Sequence, residues 1–444
     1  MKVWKFGGTS VGAPERMHSI ANLINDGDKK IVVLSAVSGT TNSLVEISNL
    51  SLRLDFEAAQ SKAQELYNKY VPFVQNLYST EKGKAEGNAI LDEHFGLLKS
   101  YIKIGFSGVE EKLFLAQGEL ISTKLFTAYL QEINRKATLL PALDFMRIDD
   151  ENEPILSYTE TELKKILEQH PDIDLFITQG YICRNPKGEV DNLQRGGSDY
   201  TATLIGAALY AEEVQIWTDI DGMHNNDPRV VKRTYPIAEV SFDEAAELAY
   251  FGAKILHPTC IRPTQERKIP VRLLNTMAPK EKGTVITQKG SGNAFTAVAA
   301  KDGITAIKIK STRMLNAHGF LRKVFEVFEK FKTSVDMITT SEVAVSLSID
   351  NAKHLDAILA ELSGFAVVEV DKDQTIVCVV GNFTAEQPGI AIKVFNALKE
   401  IPVRMISYGG SENNISVLID SKYKNEALNA VNEGVFFSEK VAAV

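Results

Sequence analysis

Polar segments directly follow several apolar runs of this 444-residue sequence, and the first of them combines a lysine with two glycines. Lys5 precedes Gly7 and Gly8, where a backbone without side chains can approach a ligand closely. The start of a following helix would favour an anion. The segment matches neither GxGxxG nor GxxxxGKS/T, which excludes a dinucleotide-binding loop and a P-loop. By itself it is more typical of an ordinary turn with an exposed lysine.

A second segment, RGGSD at residues 195–199, precedes a predicted apolar helix over 200–211. Either Ser198 or Asp199 can cap that helix. Arg195 beside two glycines at a helix start instead suits the binding of a carboxylate or a phosphate. Capping and anion binding therefore remain two open explanations for these residues.

Two further segments carry charged groups after apolar runs. WTDIDG at 217–222 and DPR at 227–229 contain carboxylates that can hold a ribose or reach Mg²⁺ through water, although such residues are equally common in turns. In GAKILHP at 252–258, Lys254 can bind a phosphate. His257 in the same segment precedes a proline and is more often structural than catalytic.

Glu119 lies inside an otherwise apolar helical stretch that includes Leu115, Leu120 and Leu125. A carboxylate buried there needs a partner, and the ammonium group of a ligand is one candidate. An exposed position on the helix surface is the commoner alternative.

Alternating strands and helices must position these segments. The predicted helices cover residues 44–135 and 200–211, and the predicted strands are the apolar runs at 3–6, 31–34, 139–143, 175–178 and 214–217. Continuous apolar runs are typical of strands that are buried on both faces of a parallel sheet. The pattern therefore predicts an α/β domain with a mostly parallel sheet, whose ligands bind at the carboxyl ends of the strands.

The sequence changes character near residue 290 and then repeats itself. Gly319 and Ile349 recur at the same spacing as Gly389 and Ile419. Each copy reads as strand, helix, strand, strand, helix, and the first copy closes with a further strand. The segment FTAVAA at 295–300 supplies the strand that the second copy lacks. We therefore predict that the first copy is inserted into the second.

Composition and charge limit the function classes. The sequence is 44% hydrophobic and 24% charged, which is typical of a globular protein, and its length predicts about three domains. A net charge of −8 gives no support for nucleic acid or an acidic membrane surface as a partner. Three separated cysteines predict neither a disulfide framework nor a zinc site. Without a signal peptide or an apolar run near ~18 residues, we expect a cytoplasmic protein.

Together and in this order, the polar segments resemble those of the aspartokinases of the amino acid kinase family. The resemblance covers nearly the whole chain, and the C-terminal repeat is similar to the paired ACT modules of these enzymes. The ordered set is far more specific than any one segment. The matching segments are KFGGTSV (5–11), LSAVSGTTN (34–42), GEL (118–120), RGGSDYTA (195–202), WTDIDG (217–222), DPRV (227–230), FGAKILHP (251–258) and VDMITTSEV (335–343).

The resemblance implies a domain organisation. Residues 1–290 would form the αβα sandwich of the amino acid kinases, with a mostly parallel sheet. Two ferredoxin-like βαββαβ ACT modules would follow, the first at 302–372 and the second made of 294–300 and 373–444. The length leaves no segment for the homoserine dehydrogenase that some aspartokinases carry, so a monofunctional enzyme is expected. A homodimer or a dimer of dimers through the ACT modules is expected from the same resemblance.

The resemblance also implies an activity, which is phosphoryl transfer from MgATP to the side-chain carboxylate of L-aspartate. The product, 4-phospho-L-aspartate, begins the synthesis of lysine, threonine and methionine. A carboxylate is already ionised at neutral pH, so catalysis needs positioning and charge neutralisation rather than a general base. Lys5 and Asp199 would be the catalytic residues. Mg²⁺ would be carried by ATP, without a metal ligand from the protein.

Other residues would bind the two substrates. Glu119 would face the ammonium group of aspartate and Arg195 its α-carboxylate, and Thr41 and Ser198 would complete the site. The family usually has tyrosine where this chain has His224. The residues expected to bind the nucleotide are Lys5, Gly7, Gly8, Thr218, Asp219, His224, Arg229, Lys254 and Ile255.

An amino-acid effector would bind between the ACT modules of a dimer, with lysine expected first and threonine second. Asp336 and Glu342 can pair with the ammonium group of a lysine. Lysine-sensitive relatives can carry His-Ser where this chain has Asn316 and Ala317, which leaves the identity of the effector open. The expected contacts are Met314, Gly319, Leu321, Asp336, Ser341 and Glu342.

Two alternative functions have to be distinguished from aspartate phosphorylation. An enzyme of the same fold can act on glutamate, acetylglutamate or UMP, but the RGGSD and GEL segments beside a paired ACT region favour aspartate. A non-catalytic amino-acid sensor would use only the C-terminal repeat. Such a sensor would not need Lys5, Arg195 or Asp199, and all three are present.

Overall fold

The computed structural model describes residues 1–105, 108–193, 196–252, 256–311, 318–383 and 387–437. The chain divides into two compact units. The first unit comprises Met1–Met223 and Leu256–Gly290, and the second comprises His224–Ile255 and Ser291–Val444.

The strands of the described residues lie in both units. In chain order they are β1 (Lys2–Phe6), β2 (Lys30–Leu34), β3 (Thr138–Leu140), β4 (Leu175–Gln179), β5 (Ile182–Arg184), β6 (Val190–Asn192), β7 (Val214–Thr218), β8 (Glu239–Ser241), β9 (Val271–Asn275), β10 (Thr284–Thr287), β11 (Ala297–Lys310), β12 (Ile338–Thr340), β13 (Ala344–Ile349), β14 (Val367–Val380), β15 (Val403–Tyr408) and β16 (Asn414–Asp420).

The α-helices are named in the same way, and two shorter helical segments lie near the C-terminal end, a 3₁₀ turn at Ser421–Tyr423 and a π-helix at Asn432–Phe437. The α-helices are α1 (Pro14–Leu23), α2 (Thr40–Leu52), α3 (Phe56–Leu77), α4 (Glu81–Ile104), α5 (Gly108–Leu115), α6 (Gln117–Glu132), α7 (Ala142–Phe145), α8 (Leu156–Glu168), α9 (Gly197–Ala208), α10 (Phe242–Tyr250), α11 (Pro258–Arg267), α12 (Phe320–Lys330), α13 (Leu355–Ser363), α14 (Ile390–Ala397) and α15 (Lys424–Val431).

A mostly parallel sheet is the centre of the first unit. Its strands run in the order β3-β4-β2-β1-β7-β9-β10, and only β10 is antiparallel to its neighbour β9. Every residue of β2 and β4 is buried, as expected for strands covered by helices on both faces. The predicted α/β fold is therefore confirmed. The strand predicted over 139–143 ends at Leu140, because Pro141 has no N–H for the ladder and directly precedes α7.

Helices α2 to α6 account for the long helical stretch predicted over residues 44–135. They bury one apolar face each, and Leu66, Phe73, Leu91, Phe95 and Leu125 belong to the core that these faces share. This packing positions Glu119, one of the predicted site residues, in the first turn of α6.

The second unit contains a six-stranded antiparallel sheet in the order β12-β13-β11-β14-β16-β15. The long strand β11 serves both sequence repeats, because a register shift near Lys301 divides it. The residues Ala297–Lys301 pair with the end of β14, which in turn pairs with β16 of the second repeat. Residues 224–255 also pack with this unit, whereas the sequence-based boundary places them within 1–290. The predicted domain boundaries stay a prediction.

Two simpler expectations concern the cysteines and membrane spans. Cys183, Cys260 and Cys378 are all buried and free. In the described part of the chain, no helix combines the length and the apolar character needed to cross a membrane.

Candidate active site

Lys5 lies near the carboxyl end of β1, which runs between β2 and β7 in the middle of the parallel sheet. Its Nζ atom lies 2.6 Å from Oδ1 of Asp199, and the two side chains are only 11% and 17% exposed. Asp199 comes from the first turn of α9. The fold therefore brings together the two residues predicted to be catalytic and fixes a positive charge at the edge of the sheet where ligands of such sheets bind.

The two glycines after β1 keep the space around Lys5 free of side chains. A Cβ atom on Gly7 would lie 3.3 Å from Nζ of Lys5, and one on Gly8 would lie 3.0 Å from the carbonyl oxygen of Ala36. The N–H of Gly7 donates to the carbonyl oxygen of Trp217 at the end of β7. The loop is thus held against β7 with a bare backbone, as a phosphate-binding loop requires.

Helix α9 starts with two glycines whose φ angles are positive, 78° at Gly196 and 47° at Gly197. A Cβ atom on Gly196 would lie 1.8 Å from Sγ of the buried Cys260, so no other residue fits at this position. The positive end of the helix dipole therefore lies next to Asp199 and Ser198. Arg195, which was predicted to clamp the α-carboxylate, lies outside the described residues.

Ser198 is connected to the loop that follows β2. Its hydroxyl oxygen accepts a hydrogen bond of 2.9 Å from the hydroxyl of Ser35, and the carbonyl oxygen of Ser35 accepts one of 2.7 Å from Ser122 on α6. Ser35 was missed as a site residue in the sequence. The signal for it was its position directly after the buried strand Lys30–Leu34.

Glu119 is buried, with 4% of its surface exposed, so the alternative of an exposed helix position is wrong. Its Oε1 atom accepts a hydrogen bond of 3.2 Å from the backbone N–H of Ala36. Its Oε2 atom is also buried and has no hydrogen-bond partner among the described residues. Burial raises the pKa of Glu119 to about 7, against the opposing effect of the Ala36 hydrogen bond. The carboxylate is therefore available to a cationic group of a ligand.

The threonines at the start of α2 have different surroundings. The helix begins at Thr40 after Gly39, which has a φ of 82°. The hydroxyl of Thr40 is 2.7 Å from the hydroxyl of Tyr70 in the core. Thr41, the residue predicted to contact aspartate, is half-buried.

The residues predicted to bind the nucleotide are divided between the units. Thr218 and Asp219 follow β7 in the first unit, and the hydroxyl of Thr218 donates to Asp219 over 3.1 Å. His224 and Arg229 belong to the second unit. The side chain of Arg229 is 83% exposed and donates two hydrogen bonds, of 2.9 and 2.8 Å, to the carboxylate of Asp227. Two further predicted residues, Lys254 and Ile255, lie outside the described residues.

Most of the residues predicted to bind an effector lie in the first repeat of the second unit. Gly319 precedes α12 with a φ of 86°, and Leu321 and Glu342 are exposed. Ser341 donates its backbone N–H to the carbonyl oxygen of Ala344. Met314, Asn316 and Ala317 lie outside the described residues.

Asp336 differs from the other predicted effector contacts because its side chain is fully buried. Its Oδ1 atom lies 3.0 Å from Nζ of Lys301 and accepts a hydrogen bond from the hydroxyl of Tyr250. Lys301 also pairs with Asp350 over 2.8 Å. Burial raises the pKa of Asp336, and the bonds from Tyr250 and Lys301 oppose that effect. This carboxylate therefore already has a cationic partner within its own unit.

Clustered metal-ligating side chains would indicate a different kind of site. Within the described ranges, no group of three or more His, Cys, Asp or Glu side chains is placed to hold a metal ion. The cationic and bare backbone groups around Lys5 fit the phosphates of a nucleotide instead.

Comparison with known protein families gives two matches. Residues 1–275 match the model of the amino acid kinase family, and residues 377–435 match an ACT domain. Among curated proteins, the chain is 36% identical to aspartokinase 1, chloroplastic, of Arabidopsis thaliana, over 98% of this chain and 80% of that protein. It is 34% identical to lysine-sensitive aspartokinase 3 of Escherichia coli K12, over 98% and 99% of the two chains.

The similar solved structures are also aspartokinases. E. coli aspartokinase III in complex with aspartate and ADP, in the R-state, superposes with a TM-score of 0.83 at 32% identity, over 98% of this chain and 100% of that chain. The same enzyme in complex with lysine and aspartate, in the T-state, gives a TM-score of 0.80 over 98% and 99% of the two chains. The chain therefore belongs to the amino acid kinase family and, within that family, to the aspartokinases.

Proposed function

We propose that this chain transfers the γ-phosphoryl group of ATP to the side-chain carboxylate of L-aspartate and releases 4-phospho-L-aspartate and ADP. In this role it performs the first step in the synthesis of lysine, threonine and methionine. The observation that carries the proposal is the ion pair between Lys5 and Asp199. This pair lies beside the glycine loop and in the same unit as the buried carboxylate of Glu119.

Aspartate is recognised by groups of opposite charge. The ammonium group of the substrate pairs with Glu119, whose Oε2 atom has no partner among the described residues. Ser198 and Thr41 donate hydrogen bonds, and Arg195 clamps the α-carboxylate. The contact chain from Glu119 through Ala36 and Ser35 to Ser198 supports this assignment, because it holds both ends of the aspartate site in one network.

The phosphoryl group meets the substrate carboxylate at Lys5. Both reactants are anions, so their approach is opposed by charge repulsion that a fixed ammonium group reduces. Lys5 neutralises the charge that spreads over the transferring phosphoryl oxygens, and Asp199 fixes the direction of the Lys5 side chain over 2.6 Å. No proton has to be removed from the nucleophile, because a carboxylic acid of ordinary pKa is ionised at neutral pH.

The nucleotide is held by Gly7, Gly8, Thr218, Asp219, His224, Arg229, Lys254 and Ile255 together with Lys5. Mg²⁺ arrives with ATP, and its chemistry when bound is to neutralise the β- and γ-phosphate oxygens. The residue type at His224 differs from the tyrosine usual in the family, but an imidazole ring can also stack or donate a hydrogen bond.

The activity can be measured by trapping the acyl phosphate with hydroxylamine. We expect the full chain with MgATP and L-aspartate to form aspartyl hydroxamate, because hydroxylamine attacks the acyl phosphate and releases phosphate. Reactions with glutamate and acetylglutamate in place of aspartate are the hydroxamate controls. UMP gives no acyl phosphate, so its phosphorylation is followed by the release of ADP instead. If glutamate gives product and aspartate does not, the proposed substrate is wrong.

Feedback regulation is proposed to act through the ACT modules, with lysine as the first candidate effector and threonine as the second. The ACT match and the resemblance to a lysine-sensitive aspartokinase support this proposal. Asp336 and Glu342 would face the ammonium group of the effector. Because Asp336 already pairs with Lys301, an incoming ammonium has to share this carboxylate with Lys301 or displace it.

Substitution of Asp336 tests the effector site. We expect Asp336→Asn to raise the lysine concentration that halves the rate by about tenfold, since a charge-assisted hydrogen bond is lost. The readout is the ratio of inhibited to uninhibited hydroxamate formation, so a change in basal rate does not affect it. Asp356→Asn, at an exposed site of the same repeat, is the matched control.

A second variant separates the effector from the internal ion pair. Lys301→Met leaves the Asp336 carboxylate without its Lys301 partner, and we expect inhibition at the same or lower lysine concentrations. Loss of inhibition in Lys301→Met as well as in Asp336→Asn would show that the ion pair itself, and not a bound ammonium, is what matters. A wild-type chain whose rate does not change at millimolar lysine would count against lysine as the effector.

Assembly, domain boundaries and location also remain proposals. A homodimer or dimer of dimers through the ACT modules, 302–372 and 294–300 with 373–444, is supported by the exposed apolar side chains of Leu321, Phe325 and Val343 in the first module. Residues 1–290 would carry the catalytic site. The cytoplasmic location predicted from the sequence stays a prediction.

A further inference from the structure

Two adjacent asparagines and a third that is distant in sequence form one buried cluster in the second unit. Asn225 and Asn226 lie in the segment between His224 and Arg229, and Asn432 begins the π-helix that follows α15. Asn225 and Asn432 are fully buried, and Asn226 is nearly so. A buried amide is costly unless its donors and acceptors are satisfied, so the bonds it makes indicate what it holds in place.

The Asn432 side chain bonds both ends of the segment at residues 224–236. Its Oδ1 atom accepts from Nδ2 of Asn225 over 3.1 Å and from Nδ2 of Asn226 over 3.3 Å. Its Nδ2 atom donates to the carbonyl oxygen of Arg233 over 2.9 Å. The amide of one residue on the C-terminal helix therefore closes this segment into a loop.

Asn225 and Asn226 also form hydrogen bonds with the backbone. Oδ1 of Asn225 accepts from the N–H of Tyr235 over 2.8 Å, and Oδ1 of Asn226 accepts from the N–H of Asp227 over 2.9 Å. Nδ2 of Asn226 also donates to the carbonyl oxygen of Leu428 on α15 over 3.0 Å. The backbone position of Asp227, which holds Arg229 by two hydrogen bonds, is thus fixed through Asn226 to the helix.

Aromatic and charged contacts strengthen the connection outside the cluster. The Arg233 guanidinium lies 3.8 Å from the ring centre of Phe437, and the Tyr235 ring meets the edges of Phe436 and Phe437. The segment that contains His224 and Arg229 is therefore fixed to the last helix of the second repeat by contacts at both of its ends.

We propose that Asn432 is a positioning residue for nucleotide binding, which holds the His224–Arg229 segment in place through Asn225 and Asn226. The proposal rests on the proposed function in one respect, the assignment of His224 and Arg229 to the nucleotide. It adds that the C-terminal helix of the second repeat is part of the structure that sets affinity for ATP. The residues that Asn432 bonds include none that were predicted to bind aspartate.

The test compares two substrates in variants of the full-length chain. We expect Asn432→Leu, which keeps the side-chain size but removes its donor and acceptor, to raise KM for ATP and the Kd of ADP by about tenfold. KM for aspartate should not change. Asn429→Ala is the matched control, because Asn429 lies on α15 and its exposed amide donates to the carbonyl oxygen of Asn425 in the same helix.

A folded Asn432→Leu variant with unchanged ADP affinity would overturn the proposal, and so would an equal rise in KM for both substrates. If this variant does not fold, Asn226→Ser leaves the helix intact and removes the bonds to Leu428 and Asn432. The same selective loss of ADP affinity is then required.

Direct titration with ADP keeps this result separate from that of the proposed function. A wild-type chain that binds ADP but forms no aspartyl hydroxamate refutes the proposed function, and the positioning role is still measured by ADP affinity. An active enzyme in which Asn432→Leu binds ADP normally refutes only the positioning role.

Discussion

Replacing Lys5 with alanine is expected to lower the rate of aspartyl hydroxamate formation by roughly 10³-fold or more, because the charge of the transferring phosphoryl group then lacks its fixed partner. The ammonium group lies 2.6 Å from Asp199 at the carboxyl end of β1, in a site from which most water is excluded. A group placed in this way acts mainly on the transition state. The loss should therefore appear in kcat more than in KM for aspartate.

The fold should survive the Lys5→Ala substitution. The neighbouring residues Trp4 and Phe6 anchor β1 in the core. The substitution leaves the buried Oδ1 atom of Asp199 without its cationic partner, so we expect a lower melting temperature but a folded chain. Circular dichroism and the melting temperature are the checks on folding.

Lys2→Ala is the matched control for this experiment. Lys2 lies on the same strand but pairs with Asp28 at an exposed position, 2.6 Å away. This variant should retain its activity. Turnover near the wild-type value in Lys5→Ala would remove Lys5 from the mechanism.

The strands and the position of Lys5 were predictable because their signals are local. Apolar runs such as that at residues 31–34 specify buried strands by themselves, and polar residues after such runs must lie at the carboxyl edge of a parallel sheet. The helix predicted over 200–211 is α9, but it begins earlier, at Gly197. Ser198 and Asp199 therefore lie inside its first turn, and neither of them caps it. Short-range patterns therefore predicted where these residues lie in the fold, whereas their expected roles came from the resemblance to the aspartokinases.

Groups whose surroundings come from distant parts of the chain could not be predicted. Whether Glu119 is exposed or buried depends on Ala36, which is contributed by the loop after another strand. The pairing of Asp336 with Lys301 depends on how the segment before β12 packs beside β11. Such contacts are set by tertiary packing, and a single sequence contains no local pattern for them.

The resemblance and the structure contribute different parts of the site description. The resemblance assigned roles to residues, including Arg195 and Lys254, for which the structure gives no geometry. The structure contributed Ser35, which joins Ser198 and Glu119, two residues predicted to bind aspartate, through the loop after β2. Both kinds of information are needed to choose substitutions that separate binding from catalysis.

Replacing Glu119 with glutamine is expected to raise KM for aspartate by about 10- to 100-fold, because a charge-assisted bond to the substrate ammonium becomes a neutral one. Glutamine keeps an oxygen that can accept from Ala36, so the local hydrogen bond and the packing of α6 are retained. The effect on kcat should be smaller, since the ammonium group does not change charge during the reaction.

The raised pKa of Glu119 also gives the wild-type enzyme a pH dependence. A carboxyl with a pKa of about 7 is partly protonated at neutral pH, and the protonated form cannot attract an ammonium group. KM for aspartate should therefore rise in wild type as the pH falls below 7. In Glu119→Gln the same KM should be high at all pH values and should lack this dependence.

Stability should change in the opposite direction from binding. Between about pH 4.5 and 7 the folded state holds a proton on Glu119 that the unfolded state has released, so the free energy of unfolding falls as the pH rises through this range. Above pH 7 the full cost of the buried charge remains, up to about 3 kcal/mol. We therefore expect Glu119→Gln to melt at a higher temperature than wild type at pH 8 and at a similar temperature at pH 4.5, both without ligand.

Aspartate completes the experiment, because its ammonium group supplies the partner that the buried carboxylate lacks. Aspartate at about ten times its Kd for wild type should raise the melting temperature of wild type at pH 8. At the same concentration it should stabilise Glu119→Gln much less, because the variant binds it about 10- to 100-fold more weakly. Glu168→Gln, at the exposed end of α8, is the control and should follow wild type at each pH. Equal stabilisation of Glu119→Gln and wild type by aspartate would contradict the pairing, because Glu119 would then have no part in holding the ammonium group.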